Sequence, residues 1–368
     1  MPDTLEYHRA HPEITVAAHR ESQRLSLARR VLDTHRIYLD TKFWVILGDT
    51  HRGRRSVSAD IELLAVLRNL KSSGTAICPL SYSSIHELWH QADVESRRAT
   101  AAVMDELSGA VCLQAPHFLF DIELRQLLYS ALLPDRVIHP PRELVWTKAS
   151  FYVGEPLLRC KALPGELVVT LQKCIDDSMF SATLSDLVEA TANRPLPSSA
   201  DLDTLAADLT SGKNNNPEVS FAELYRQEIT GGLESHQEAC EQIMERLCRV
   251  FGFDGGIGDT EREAGGKMLR GLVEAGVKAG KVRAEFPQLH INASLHAALR
   301  WDNRRRYKRG DCEDFRHAGS ALPYFNYFLT EKSLCHLLCN KPLMLNAEYE
   351  AEVFFDSGSA VSALSQLH

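Results

Sequence analysis

The first 35 residues are polar and charged, yet Ala17, Leu25, Leu27, Ala28, Val31 and Leu32 recur at helical spacing, which predicts a helical extension leading into a domain. Its Arg20, Arg24, Arg29 and Arg30 read as a solvated face, with nucleic-acid contact as the alternative. The pattern then changes. Residues 37–39 form a short β-type apolar run that ends at Asp40, and residues 43–47 continue apolar. A basic loop with Arg52, Arg54 and Arg55 follows. A helix over 59–70 places Ile61, Leu64, Ala65 and Leu67 on one face, with Ser58 as a cap and Gly74 as its end. Residues 75–80 read as a second strand, and Ser81 as the cap of a helix carrying Glu87. Helices over 95–107 and 118–133 enclose a third short strand at 111–113. This alternation predicts a parallel sheet covered by helices.

After residue 134 the periodicity weakens. Residues 134–163 are rich in proline and aromatics, 167–192 read as helix, and the polar, turn-rich 193–220 reads as a flexible linker. Residues 221–251 and 265–284 are again helical. The Gly-rich DGGIGDTEREAGG between them lacks a Walker lysine and a preceding strand, so it is an ordinary loop. From about residue 290 a basic helix leads to Asp311, Asp314 and His317, which share one helix face. The chain breaks at Leu322-Pro323 and runs through an aromatic strand (324–329) into Thr330-Glu331, where a helix starts. Residues 343–346 and 353–355 read as edge strands and 358–367 as a closing helix. The fold predicted is α/β: a three-layer α/β/α sandwich with a central parallel sheet, plus a large all-α insertion. Its parts are an extension (1–35), a first core half (36–133), an insertion (134–289) and a second core half (290–368).

Composition limits the function. With 44% hydrophobic and 24% charged residues the chain can bury an ordinary core, and a net charge of −8 excludes binding nucleic acid through a uniformly basic surface. The nine cysteines contain no CxxC pair and lie mostly in apolar or helical segments, so they read as reduced thiols of a cytoplasmic protein. No signal-like segment and no long apolar run is present, which argues against secretion and a membrane span.

Carboxylates then stand out by placement. Asp40-Thr41 follows the first strand. Glu87 lies six residues after Ser81. Asp311, Asp314 and His317 precede the last core strand, and Thr330-Glu331 follows it. Each has an ordinary reading as well: a helix cap, a surface glutamate, an acidic first turn favoured by the helix dipole. Taken together, over residues 36–133 and 300–356, they resemble the PIN-domain nucleases, ribonucleases that include the toxins of many bacterial toxin–antitoxin pairs. The resemblance implies a metal-dependent endoribonuclease. Asp40, Glu87 and Asp314 would be catalytic and would hold Mg²⁺ or Mn²⁺; the fourth acidic position is Glu331, Asp311 or absent. Thr41, Ser81, His317, Asn326 and Thr330 would support them. Asn326 stands where the family often has an aspartate.

Hard divalent ions take oxygen ligands and can activate water for in-line phosphodiester hydrolysis, so this residue set suits the chemistry. Arg304, Arg305, Arg306, Lys308 and Arg309, with Trp301 and Tyr307 among them, and Arg52, Arg54 and Arg55 suggest binding of RNA or single-stranded nucleic acid. An antitoxin-like protein partner and a homodimer are the protein partners the resemblance brings in, and the insertion reads as a lid, a dimer element or a substrate-recognition module. The alternative is a catalytically weakened PIN-fold protein that binds nucleic acid or a partner without cleavage. A D-x-D-type phosphatase is disfavoured, because Asp40-Thr41-Lys42 lacks the second aspartate.

Overall fold

Six short strands form in chain order: β1 (His35–Leu39), β2 (Ala76–Ile77), β3 (Val111–Leu113), β4 (Trp146–Lys148), β5 (Tyr327–Leu329) and β6 (Glu352–Phe354). The structure, a computed structural model, describes residues 4–133, 138–191, 202–212, 219–252, 257–302 and 304–367. β1, β2, β5 and β6 make one parallel sheet in the order β2-β1-β5-β6. Its centre pairs the two ends of the chain, with Leu39 opposite Leu329.

The centre of this sheet is buried on both faces, which is why residues 37–39 and 327–329 are apolar, while β1 opens on half-buried His35 and Arg36 and β6 on exposed Glu352. Ile37, Leu39, Tyr327 and Leu329 point into a core with Phe43, Trp44, Leu47 and Leu63. Tyr38 and Phe328, one position out of phase, point into a second core with Leu295, Phe315, Ala318 and Leu322. The protein is therefore mixed α/β, mostly helical, with a small parallel sheet between two apolar layers.

Several expectations change. Residues 43–47 belong to the Thr41–His51 helix, because Asp40 caps it directly after β1. The run 75–80 pairs with β1 only over Ala76–Ile77. Pro79, which has no N–H to donate, interrupts it, and Leu80 bridges to Cys112 instead. Residues 343–346 form no strand, and a helical turn spans Leu345–Glu348, while the edge strand expected at 353–355 forms one residue earlier, as β6. The closing helix is Ser357–Leu364.

The expected division also shifts. Residues 134–289 are not all-α, since β4 lies there and pairs antiparallel with β3. The start of the chain is helical and leads into β1, and its Val16–Leu32 helix buries Leu27, Ala28 and Val31 in the sheet's core. Of the expected linker, 202–212 is helical, and residues 193–201 and 213–218 lie outside the described residues. The later helices of the middle segment share a third core, in which Ile229, Leu233, Ile243, Leu269 and Val273 pack on Phe120 and Leu124 of the Pro116–Leu132 helix. Among the described residues no helix is long and apolar enough to cross a membrane.

Candidate functional site

The carboxyl ends of β1 and β5 are held level by backbone hydrogen bonds. Asp40 N–H donates to the Leu329 carbonyl (3.0 Å), and Thr330 N–H to the Phe354 carbonyl (2.8 Å). Parallel sheets present ligands at this edge. The Asp40 carboxylate accepts from Phe43 N–H at 3.3 Å and so caps its helix. Ser81 and Ser84 form a capping box that starts the Tyr82–Trp89 helix, which carries Glu87. The Asp311–Ala321 helix carries Asp314 and His317, and Glu331 stands at the N-cap of Lys332–Cys339. Asp40, Thr41, Glu87, Asp314, His317 and Glu331 line one cavity of about 500 Å³.

His317 organises the floor of this cavity. It is 3% exposed, its Nδ1 lies 2.6 Å from the Tyr38 hydroxyl, and its Nε2 lies 3.3 Å from Glu87 Oε1. Burial pushes its pKa down, but the Glu87 hydrogen bond and the charges of Glu87, Asp40 and Asp314 outweigh this, so the imidazole sits above its ordinary value. Burial pushes Glu87 up, and His317 and Thr41 more than reverse it, leaving Glu87 below the usual range. The other two acids bear the cost of crowding. Desolvation raises Asp40 to about 6, against opposing pulls from His317, Thr330, Phe43 N–H and Lys42. Desolvation, then Glu331, raises Asp314 to about 7, with Asp40 and Asp311 adding to it.

The acids surround the cavity rather than converging on a point. Among the described residues, no three of them bring ligand atoms within 4.8 Å of one another. Like charges without a cation between them repel, and His317 already takes up one Glu87 oxygen. The Thr41 and Thr330 hydroxyls are buried near Glu87 and Asp40, close enough to lower both pKa values, but neither makes a hydrogen bond of normal geometry. Several lining carboxylates, two of them held above their ordinary pKa, and two underused hydroxyls fit a hard divalent cation that keeps part of its water shell.

Other expected site residues lie elsewhere. Asp311 turns away from the cavity: its carboxylate accepts from the Arg305 guanidinium (2.9 Å) and from Lys308 N–H (2.7 Å), which makes it a structural anchor. Asn326 is at the amino end of β5, opposite to the site, where its Oδ1 accepts from Arg36 N–H at 3.0 Å. Ser81 lies beneath the cavity, 2.7 Å from the Tyr38 hydroxyl. The basic loop is displaced as well. Arg52, Arg54 and Arg55 follow the eleven-residue Thr41–His51 helix, so they stand roughly 16 Å beyond Asp40, and they pair with Asp49, Asp93 and Asp60. Arg304 and Arg305 line a separate cleft with Trp301 and Lys341. Arg306 and Lys308 are exposed outside the cavity lining, and only Arg309 of the basic run borders the acids.

Sequence reading missed Lys42, His86, His90 and Glu313, which also line the cavity. His86 and His90 flank Glu87 at helical spacing, with ring centroids 4.5 Å apart, so the i,i+4 pair was the available signal. The Tyr38–His317 contact had no local signal, because 279 residues separate the partners. No protein-family model, no curated protein and no solved structure matches this chain.

Proposed function

We propose that the chain is a metal-dependent endoribonuclease built on a PIN-like α/β/α sandwich. One observation carries this reading: four acids from separate parts of the sequence, Asp40, Glu87, Asp314 and Glu331, line a single cavity at the carboxyl edge of the parallel sheet. Asp40, Glu87, Asp314 and Glu331 are the residues that would hold Mg²⁺ or Mn²⁺. Bound there, the ion would supply charge for the developing phosphorane-like oxygens and lower the pKa of a water.

The protein's own contribution is placement. Backbone hydrogen bonds fix Asp40 and Thr330 at the sheet edge. His317, itself held by Tyr38, orients Glu87. Thr41 and Thr330 offer hydroxyls for water. Lys42 and Arg309 border the acids and attract a phosphate locally on a chain of net charge −8. Nine free cysteines suit a reducing, cytoplasmic setting.

A second reading is a PIN-fold protein that binds nucleic acid or a partner without cleaving. It is favoured by the acids' arrangement, in which, among the described residues, no three bring ligand atoms within 4.8 Å of one another. Incubation of purified protein with varied RNAs in Mg²⁺ or Mn²⁺, beside Asp40→Asn and Asp314→Asn, separates the two. The enzyme reading expects cleavage that both substitutions abolish; RNA retention without cleavage selects the second.

A further inference from the structure

A separate cluster ties the start of the chain to the Gly165–Ser181 helix. His8, on the Leu5–Ala10 helix, places Nε2 2.7 Å from Asp177 Oδ2, and His19, on Val16–Leu32, places Nε2 2.8 Å from Asp177 Oδ1. The three ligand atoms lie within 4.8 Å of one another. The two rings meet edge-on at 82°, with centroids 4.7 Å apart, so both Nε2 atoms face the same carboxylate. His8 is 1% exposed, and none of the three residues borders the acidic cavity.

The chemistry differs from that of the cavity. Two imidazoles and one carboxylate are borderline, nitrogen-rich donors, the set that suits Zn²⁺ rather than Mg²⁺. We infer that His8, His19 and Asp177 form a Zn²⁺ site, with water in the fourth position, that fastens the two N-terminal helices to the Gly165–Ser181 helix.

The surroundings support an ion with bound water. Gln23 donates from Nε2 to Asp177 Oδ1 at 2.7 Å, which orients the carboxylate, while its own Oε1 is buried with no partner and can accept from a metal-bound water. The neighbouring Arg20 is already compensated by Asp176 and Glu155. Without metal, each imidazole donates its Nε2 proton to Asp177, because a carboxylate accepts. Coordination moves that proton to Nδ1 and frees the Nε2 lone pair. At His8 the Nδ1 atom is buried without a protein partner, so the relocated proton would need a water as its acceptor.

The test uses the full chain, equilibrated with ZnCl₂ in Mg²⁺-containing buffer and freed of unbound metal by gel filtration. Wild type is expected to retain one zinc per chain, His19→Gln to retain essentially none, and Asp314→Asn to retain one. Zinc should slow proteolysis of the N-terminal helices in wild type and not in His19→Gln. Co²⁺ in place of Zn²⁺ should give visible d–d bands without a thiolate charge-transfer band, which tests the ligands without any substitution. Wild type that retains no zinc, retention unchanged in His19→Gln, retention lost in Asp314→Asn, or a thiolate band would each overturn the inference. None of these readouts depends on RNA cleavage.

Discussion

His317 Nε2 lies 3.3 Å from Glu87 Oε1 across a separation of 230 residues. The contact joins the returning part of the chain to the first half of the sheet, and the same ring is held on its other nitrogen by Tyr38. Replacing His317 by Ala leaves the buried Tyr38 hydroxyl with one partner fewer and removes the positive neighbour of three acids. The expected loss is about 1–3 kcal/mol in unfolding free energy at pH 6, read from the urea midpoint at constant m-value. An unchanged midpoint would mean that the ring merely fills space.

The crowded acids make stability depend on pH. Asp40 and Asp314 are raised from 3.8 to about 6 and about 7. A carboxyl raised in the folded state contributes stability that is complete below its unfolded pKa and lost as pH rises through the folded one. The metal-free protein should therefore weaken between pH 3.8 and about 7. His317, also raised, adds a loss of the same sign above 6.5, whereas the lowered Glu87 contributes above 4.5 and loses that only in acid. Asp314→Asn should stabilise the metal-free chain at pH 8 by on the order of 2 kcal/mol, allowing for partial exposure, and should change little at pH 4. Equal urea midpoints at pH 8 would remove the electrostatic case for a cation.

That case has a direct counterpart in heat denaturation. Saturating Mn²⁺ at pH 8 should raise the Tm of wild type, since a ligand at a hundredfold excess over its Kd contributes about 2.7 kcal/mol. Asp40→Asn and Asp314→Asn should lose most of the shift. A shift retained in both would place the bound ion elsewhere.

Asn326 and Asp311 test the geometry against the sequence pattern. Asn326 is about 13 Å along β5 from Thr330, at the wrong end for catalysis. Asn326→Asp keeps an acceptor for Arg36 N–H and should leave cleavage within about twofold, measured on the substrate that wild type cuts best. Asp311→Asn should instead lower stability by about 1–3 kcal/mol through Arg305, with Mn²⁺ binding retained.

Away from the site, burial raises Glu123 to about 8 and Tyr324 donates to its Oε1 at 2.8 Å. Tyr324→Phe should cost about 1–3 kcal/mol at pH 6. Glu123→Gln should be nearly neutral there and stabilising above pH 8, because the wild-type carboxyl must then ionise in the core. A destabilised Glu123→Gln at pH 9 would contradict this.

Much of the sheet was legible because β1 and β5 carry short continuous apolar runs ending at Asp40 and Thr330, whose successive residues enter the two cores on opposite faces. Asp40 and Glu331 were legible because each stands at the N-cap of a helix just after a strand, and Asp314 because it lies in the first turn of its helix, whereas Glu87 lies within its helix and was placed only by its spacing from Ser81. Four things were hidden. A proline at 79 breaks a ladder that hydropathy alone continues. β4 is three residues long in a proline-rich stretch, and only pairing with β3 defines it. The basic loop was misplaced because the eleven-residue Thr41–His51 helix, unseen in the apolar run, carries Arg52, Arg54 and Arg55 away from the acids. His8, His19 and Asp177 meet only through tertiary packing, and no spacing announces them.

The most direct measurement is RNA hydrolysis by the purified chain with Mn²⁺ or Mg²⁺, for wild type, Asp40→Asn and Asp314→Asn at equal concentration. The account predicts metal-dependent cleavage that chelation stops and that each substitution lowers by at least about a hundredfold. Cleavage that survives both substitutions, or folded wild type that cuts no RNA with either metal, would contradict it.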